Sequence, residues 1–173
     1  VPLILVGLLV STVMQEFTRS IEAIGWATLV FGILLGISDR VGMTLNRFQH
    51  MKYFDAILIG LAQIAALIPG ASRAGVAITA ARFLGYERAS AARFSLLLAI
   101  PAILGASLLK GLEIFLSNDI SLGIDFLIAA GISFCAALAS VSVMMKWLSR
   151  AGFMPFVIYR LILGTLLLAW VYL

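Results

Sequence analysis

Residues 56–72 carry no charge, and neither do residues 74–81; between them stands Arg73, just after a Pro69-Gly70 pair. The apolar stretch is long enough to enter a bilayer, but its helix cannot run on. Proline lacks the N–H that a helix interior needs, and glycine weakens the helix further. A charge at membrane depth costs a few kcal/mol or more, about 2.5–3.5 kcal/mol on insertion scales, and by default marks a functional site. Each piece, 53–68 and 71–84, is too short to cross a hydrocarbon core that needs about 20 residues. The two together read as a re-entrant helix–break–helix hairpin over about 53–84. Irregular backbone at that depth is tolerated only against protein or a water-filled cavity.

The rest of the chain fits the same solvent. Hydrophobic residues make up 63% of the 173 and charged residues 12%, with a mean hydropathy of +1.14. Ordinary soluble domains are roughly 45–50% apolar and about 25% charged. The fold class is therefore all-α: a polytopic transmembrane helical bundle, read as one membrane domain over 1–173. The net charge of +4 is scattered through short loops. It suits anionic membrane lipids; clustered Lys and Arg with interleaved aromatics, the footprint of nucleic-acid binding, do not occur. The single cysteine, Cys135, lies in an apolar run and reads as a small buried hydrophobe. The chain opens directly in the apolar run Val1-Pro2-Leu3-Ile4-Leu5-Val6 with no initiator Met, so it reads as the C-terminal part of a longer chain.

Five spans are expected besides the hairpin: 1–15, 23–38, 94–109 with Pro101 as a kink, 126–145, and 153–173 with Trp170 and Tyr172 as an aromatic anchor. Gly32 and Gly36 form a small-xxx-small face for helix packing. Loops are expected at 39–52, 85–93, 110–125 and 146–150. The first, second and fourth are basic; the third, with Lys110, Glu113, Asp119 and Asp125, is net acidic. A hairpin that re-enters keeps the basic loops on one side, which the positive-inside rule makes cytoplasmic.

The chemistry gathers at the break. Arg presents five donors in a rigid fork that matches phosphate oxygens. Gly70 and Gly75 let backbone approach an anion closely. The helix that follows Gly70 points its first N–H groups, including those after Ala71, at the same place. Ser72 and Thr79 are candidate donors to phosphate oxygens, with Ser72 also weighed as a nucleophile; the bland alternative for both is a bond to a helix carbonyl. Gln63 needs partners in a membrane and reads either as packing glue or as a substrate contact. Arg160, seven residues into the last span, is either a second phosphate contact or a structural pairing. Arg82, Glu87, Arg88 and Arg93 read as an interfacial charge cluster, and His50 as a solvated loop residue. No carboxylate or imidazole is expected at the depth of Arg73. No metal-ligand spacing or cofactor motif is evident, and a divalent cation on a phosphate substrate stays open.

Three segments together resemble a known family. They are Gln63 to Gly75 (QIAALIPGASRAG), Ala80-Ala81-Arg82-Phe83-Leu84-Gly85, and Ala92 to Pro101 (ARFSLLLAIP). This is similar to the undecaprenyl-diphosphatase family, also called bacitracin-resistance proteins, whose pattern is P-G-x-S-R-S-x-x-T between a preceding Gln and a following F-S-x-L-L-x-x-P. Phe156-Val157-Ile158-Tyr159-Arg160 resembles the family's last helix. Arg73 falls on the motif arginine, and Pro69, Gly70, Ser72 and Gly75 also match. Ala74 stands where the motif has its second Ser and Ala77 where it has Thr, with Thr79 two residues on.

The resemblance implies an enzyme of the bacterial inner membrane that removes one phosphate from a polyprenyl diphosphate carrier lipid used in peptidoglycan and cell-wall synthesis. It also implies two inverted repeats, each with a re-entrant hairpin. The resemblance makes Arg73 the essential arginine, and with Ser72 it is the candidate catalytic pair; Gly70, Ala71, Gly75, Thr79, Gln63 and Arg160 are the candidate substrate contacts from the reading of the residues above. The family's paired glutamates and its S-S-T-G-H run have no counterpart here and are expected upstream of Val1. The alternatives are a transporter or flippase for an anionic lipid, using the same broken helix, and a non-catalytic remnant. The partners implied are the lipid substrate and membrane lipids, with a homo-oligomer left open.

Overall fold

The computed structural model describes residues 20–42, 44, 46–116 and 120–173. The span expected at 1–15 lies outside them. Six α-helices occur among the described residues: α1 (Ile21–Val41), α2 (Tyr53–Ala62), α3 (Arg73–Phe83), α4 (Arg88–Leu116), α5 (Ile120–Leu148) and α6 (Met154–Tyr172). Short 3₁₀ turns sit at Phe48–His50 and Gln63–Leu67. Among the described residues four helices are long and apolar enough to cross a membrane: α1, α6, and the segments Arg88–Leu108 of α4 and Phe126–Leu148 of α5.

Local chemistry sets the helix ends. Ser20 caps α1 by accepting from the Ala23 N–H at 3.2 Å. Glu22 in the first turn and Arg40 in the last complement the helix dipole. Gly42 stops α1 where space runs out: a Cβ there would lie 2.5 Å from Ser38 O and 2.6 Å from Arg82 O. Pro155 falls in the first turn of α6, where its missing N–H costs nothing.

Two expected boundaries change. Asp39 belongs to the last turn of α1 and is 5% exposed, not part of a polar loop. The expected loop at 110–125 is mostly helical, since α4 runs to Leu116 and α5 begins at Ile120. In both places helix-forming neighbours outweigh isolated charges, which were the only signal for a loop.

The helices α1 and α6 pack antiparallel along a seam of small residues. A Cβ on Gly25 would sit 2.8 Å from Leu168 Cδ2, and on Gly32 3.1 Å from Arg160 Cβ. On Gly36 it would sit 3.2 Å from Val157 Cγ1, and on Gly164 2.7 Å from Leu29 Cγ. Missing Cβ atoms let the two backbones come close, which is how apolar helices gain packing in a solvent as apolar as they are. The seam also fixes register: Arg160 lies level with Gly32, nine residues or about 14 Å from the Val41 end of α1.

The stretch 53–84 forms a helix–break–helix element, with α2 and α3 on either side of the break. The chain runs from α2 through the 3₁₀ turn and the break at 68–72 into α3, then returns to the end it left. Entry and exit are tied by a bridge between Asn46 and Tyr86. Asn46 N donates to Gly85 O and Glu87 N to Asn46 O, each at 3.0 Å. The 11 residues of α3 rise only about 16 Å, half the ~30 Å hydrocarbon core. The tip of the hairpin meets Ile24 and Thr28 of α1. Of the 18-residue apolar window of α5, none is buried, while near its end Met144 and Met145 pack against the core and Leu148 is buried.

Candidate functional site at the helix break

The base of the hairpin is locked by charge. Asp39 Oδ1 accepts from Arg88 Nε at 2.6 Å and Oδ2 from Arg88 Nη2 at 3.2 Å. Its Oδ2 also accepts from the Phe153 N–H at 3.2 Å, while Arg82 Nε lies 3.6 Å from Oδ1. One carboxylate therefore joins the end of α1, the end of α3 and the starts of α4 and α6. Arg82, 1% exposed, spends its Nη atoms on carbonyls: Tyr86 O at 2.6 Å, Gly42 O at 2.7 Å and Asp39 O at 3.1 Å. Nearby, Tyr86 Oη donates to Asp55 Oδ2 at 2.6 Å. Burial, reinforced by that bond to a carboxylate, pushes the Tyr86 phenol up to about 12. The expected interfacial cluster thus resolves into parts. Arg82 and Arg88 converge on Asp39, Arg47 approaches Glu87 at 3.9 Å, and Arg93 lies over the Phe48 ring at 5.4 Å.

The break itself is shaped by its neighbours. Gly70 has φ +89°; a Cβ there would strike Ile24 O at 2.5 Å and Thr28 Oγ1 at 2.9 Å. Ser72 has φ 65° and is the only non-glycine residue at positive φ among the described residues. Holding a residue with a Cβ in that region costs on the order of 1–3 kcal/mol, and such strain gathers at functional sites. Ser72 is also the N-cap of α3, accepting from the Gly75 N–H at 3.2 Å. Its hydroxyl proton is left to donate elsewhere.

Arg160 reaches this turn from α6. Its Nη2 donates to Gly70 O at 2.7 Å and Ala71 O at 3.0 Å, and its Nε to Thr28 O at 3.4 Å. The residue is 8% exposed. A Cβ on Gly75 would come within 2.8 Å of Arg160 Nη1 and 3.2 Å of Ser72 Oγ. Gly75 thus keeps open the ground between the guanidinium and the hydroxyl.

Beside the break lies a cavity of ≈ 500 Å³. Thr28, Gly70, Ser72, Gly75 and Arg160 give it a polar wall, and Ile24, Leu35, Leu163 and Leu167 line it with aliphatic surface. From Ile24 to Leu35 is eleven residues, or about 16 Å along α1. An apolar trough with a guanidinium and hydroxyls on one wall has the shape of a place for a lipid with an anionic head.

The candidates from sequence therefore separate. Ser72, Gly70, Gly75 and Arg160 meet at the cavity. Arg73, the first residue of α3, is exposed and does not line it. Ala71 is fully buried and contributes its carbonyl to Arg160. Thr79 Oγ1 donates to Gly75 O at 2.8 Å, one turn into α3. Gln63 is 4% exposed with Nε2 unpartnered among the described residues, away from the cavity lining. His50 is exposed. Among the described residues no Asp, Glu or His lines the cavity, and no three His, Cys, Asp or Glu converge as a metal-ligand set. Sequence reasoning missed Asp39. Its partners are 43, 49 and 114 residues away, and its one local signal was a charge at the end of an apolar run.

The sequence has relatives among known proteins. The family model described as bacitracin resistance protein BacA matches residues 1–166. "Undecaprenyl-diphosphatase 1" of Rhodospirillum rubrum is 55% identical over 153 residues, covering 88% of this chain and 54% of the relative. "Undecaprenyl-diphosphatase" of Jannaschia sp. is 44% identical over 173 residues, covering 99% of this chain and 65% of the relative. A third, from Hahella chejuensis, is 44% identical over 172 residues, covering 99% and 64%. The chain spans between about half and two thirds of the length of these relatives. Its membrane-length helices and its bacterial relatives make it a multi-pass protein of the bacterial inner membrane.

Proposed function

The chain belongs to the bacitracin resistance protein BacA family, and from that premise we propose that it serves the removal of a phosphate from a polyprenyl diphosphate carrier lipid. The relatives are named for that diphosphatase activity. The observation that carries the reading here is the break: a strained Ser72 capping α3, beside a buried Arg160, on an apolar cavity. In this reading the lipid enters from the membrane and lays its isoprenoid chain along the aliphatic wall. Its diphosphate meets the first turn of α3.

The Ser72 hydroxyl and the free N–H groups at the start of α3 donate to phosphate oxygens. Arg73, exposed one residue on, brings its guanidinium to the terminal phosphate, and Arg160 Nη1 faces the same space. These groups stabilise the charge that grows as water attacks the terminal phosphorus and the anhydride P–O bond breaks. Removing one donor from such a constellation typically lowers kcat by about 10²–10³-fold. Gln63 and Thr79 support the two halves of the hairpin rather than touching the phosphate. The hairpin then sits within the bilayer as a re-entrant element, with the basic connections on the cytoplasmic side.

The test is phosphate release from a polyprenyl diphosphate in proteoliposomes carrying the product of the whole gene. Turnover by the native protein, lost about 100-fold or more in Arg73→Ala with an unchanged thermal midpoint, is the expected result. Movement of intact lipid across the bilayer without phosphate release would instead support a transporter and overturn the proposal.

A further inference from the structure

We propose that Arg160 is a positioning residue: from α6 it holds the backbone of the break in the turn that presents Ser72. This rests on the reading that Ser72 and the first turn of α3 receive the phosphate, and it adds what keeps them in place.

The geometry is specific. The carbonyl of Ala71 belongs to the peptide plane that joins residues 71 and 72. Its direction therefore sets φ of Ser72. Arg160 Nη2 takes that carbonyl at 3.0 Å and the preceding one, Gly70 O, at 2.7 Å. A planar guanidinium that donates to both fixes two successive peptide planes at once. Serine does not choose φ 65° unaided.

The bonds inside the hairpin do not hold the turn by themselves. Ala71 N donates to Ile68 O at 3.1 Å and Val76 N to Ser72 O at 2.9 Å. These fix the chain before and after the turn but leave the Gly70 and Ala71 carbonyls to neighbouring helices, and from α1 Thr28 Oγ1 adds only a long donation to Gly70 O, at 3.4 Å. Buried carbonyls need a partner, and α6 supplies it.

The site also makes room for this cation and no bulkier arrangement. Gly32 on α1 faces Arg160 Cβ, where a methyl would sit 3.1 Å away, and Gly75 on α3 faces Nη1, where it would sit 2.8 Å away. Lysine keeps the charge in this slot but loses the Nε donor to Thr28 O and the fixed fork, since its ammonium is a freely rotating point charge on a flexible stem. The position of α6 and the conformation of Ser72 are thereby mechanically joined.

Hydrogen exchange of the Ala71 and Val76 amides, read on the product of the whole gene in lipid nanodiscs, tests the assignment without measuring turnover. Its outcome therefore stands apart from that of the phosphatase reading. Arg160→Lys should speed exchange at both amides about tenfold or more. Adding Ser72→Gly should bring both back to within about threefold of the native chain, because glycine takes positive φ freely. Adding Ser72→Ala should not. A contact that merely fills space would lose the same amount whichever residue stands at 72.

Unchanged exchange in Arg160→Lys overturns the proposal. So does equally fast exchange in the glycine and alanine double variants. If Arg160→Lys does not assemble, Gly75→Ala presses a methyl against Nη1, and the Ala71 amide must then speed up; native exchange there is equally fatal to the idea.

Discussion

Asp39→Ala should be among the most damaging single changes outside the cavity. Its carboxylate, whose side chain is 3% exposed, is the counter-charge for Arg82 and the acceptor for the N–H that starts α6. Arg88 is 37% exposed at its side chain, so water replaces most of what it loses, and its share is at most about 1 kcal/mol. Arg82 has no such recourse. At 1% exposure it keeps its three carbonyl bonds but becomes an uncompensated buried charge, and breaking a buried pair in this way costs about 3–5 kcal/mol. Asp39→Asn retains an oxygen for the Phe153 N–H and should recover about 1 kcal/mol. At about 2–4 °C per kcal/mol for a chain of this size, Asp39→Ala lowers the thermal midpoint by roughly 6–20 °C. Tryptophan fluorescence during a thermal ramp in detergent measures it. Arg82→Met in the Asp39→Ala background removes the stranded charge and should return part of the loss. A midpoint for Asp39→Ala within about 2 °C of native, under the same scaling, would refute the reasoning.

Three further outcomes are expected. Gly70→Ala combines a left-handed penalty of about 1–2 kcal/mol with a methyl 2.5 Å from Ile24 O; a native thermal midpoint would contradict the tight seat of the hairpin tip. Gly164→Ala drives a methyl to 2.7 Å from Leu29 Cγ and 3.1 Å from Gly25 O, and should cost about 1–3 kcal/mol as overpacking, read by the same ramp. Finally, the Tyr86 phenol is raised in the folded state to about 12 from 10.0, so its contribution is whole below pH 10 and falls as pH rises from there to about 12. Tyr86→Phe should flatten that alkaline limb in a pH series of thermal midpoints, and an unaltered slope would count against the buried Tyr86–Asp55 bond.

The spans were legible because lipid imposes a crude rule, length and hydropathy, that each segment obeys by itself. The break was legible for a similar reason: Pro69-Gly70 interrupts a helix whatever surrounds it. Gly32 and Gly36 declared their seam through spacing alone. Asp39 was not legible, because a carboxylate at a helix end looks the same whether water or two arginines await it. Arg160 was half legible. Its isolation in an apolar run announced a special role, but its carbonyl partners lie 89 and 90 residues away, and sequence periodicity says nothing about such distances. Exposure of Arg73 was equally beyond reach, since it depends on how the hairpin tip leans on α1.

The long pair α4 and α5 has a mechanical consequence of its own. Each helix has 29 residues, about 44 Å of rise, against a hydrocarbon slab of ~30 Å. Tilt in a membrane is normally dictated by lateral neighbours, and α5 has no buried side chain in its apolar window. Hydrophobic mismatch therefore acts on the far ends of the pair, since the first turns of α4 are buried at Ala91, Ala92 and Ser95 and the last turn of α5 at Leu148. The seam of α1 with α6, gripped through its glycines, and the root of α4, held by Asp39, do not yield in this way, so a change of lipid acyl length is taken up beyond that root.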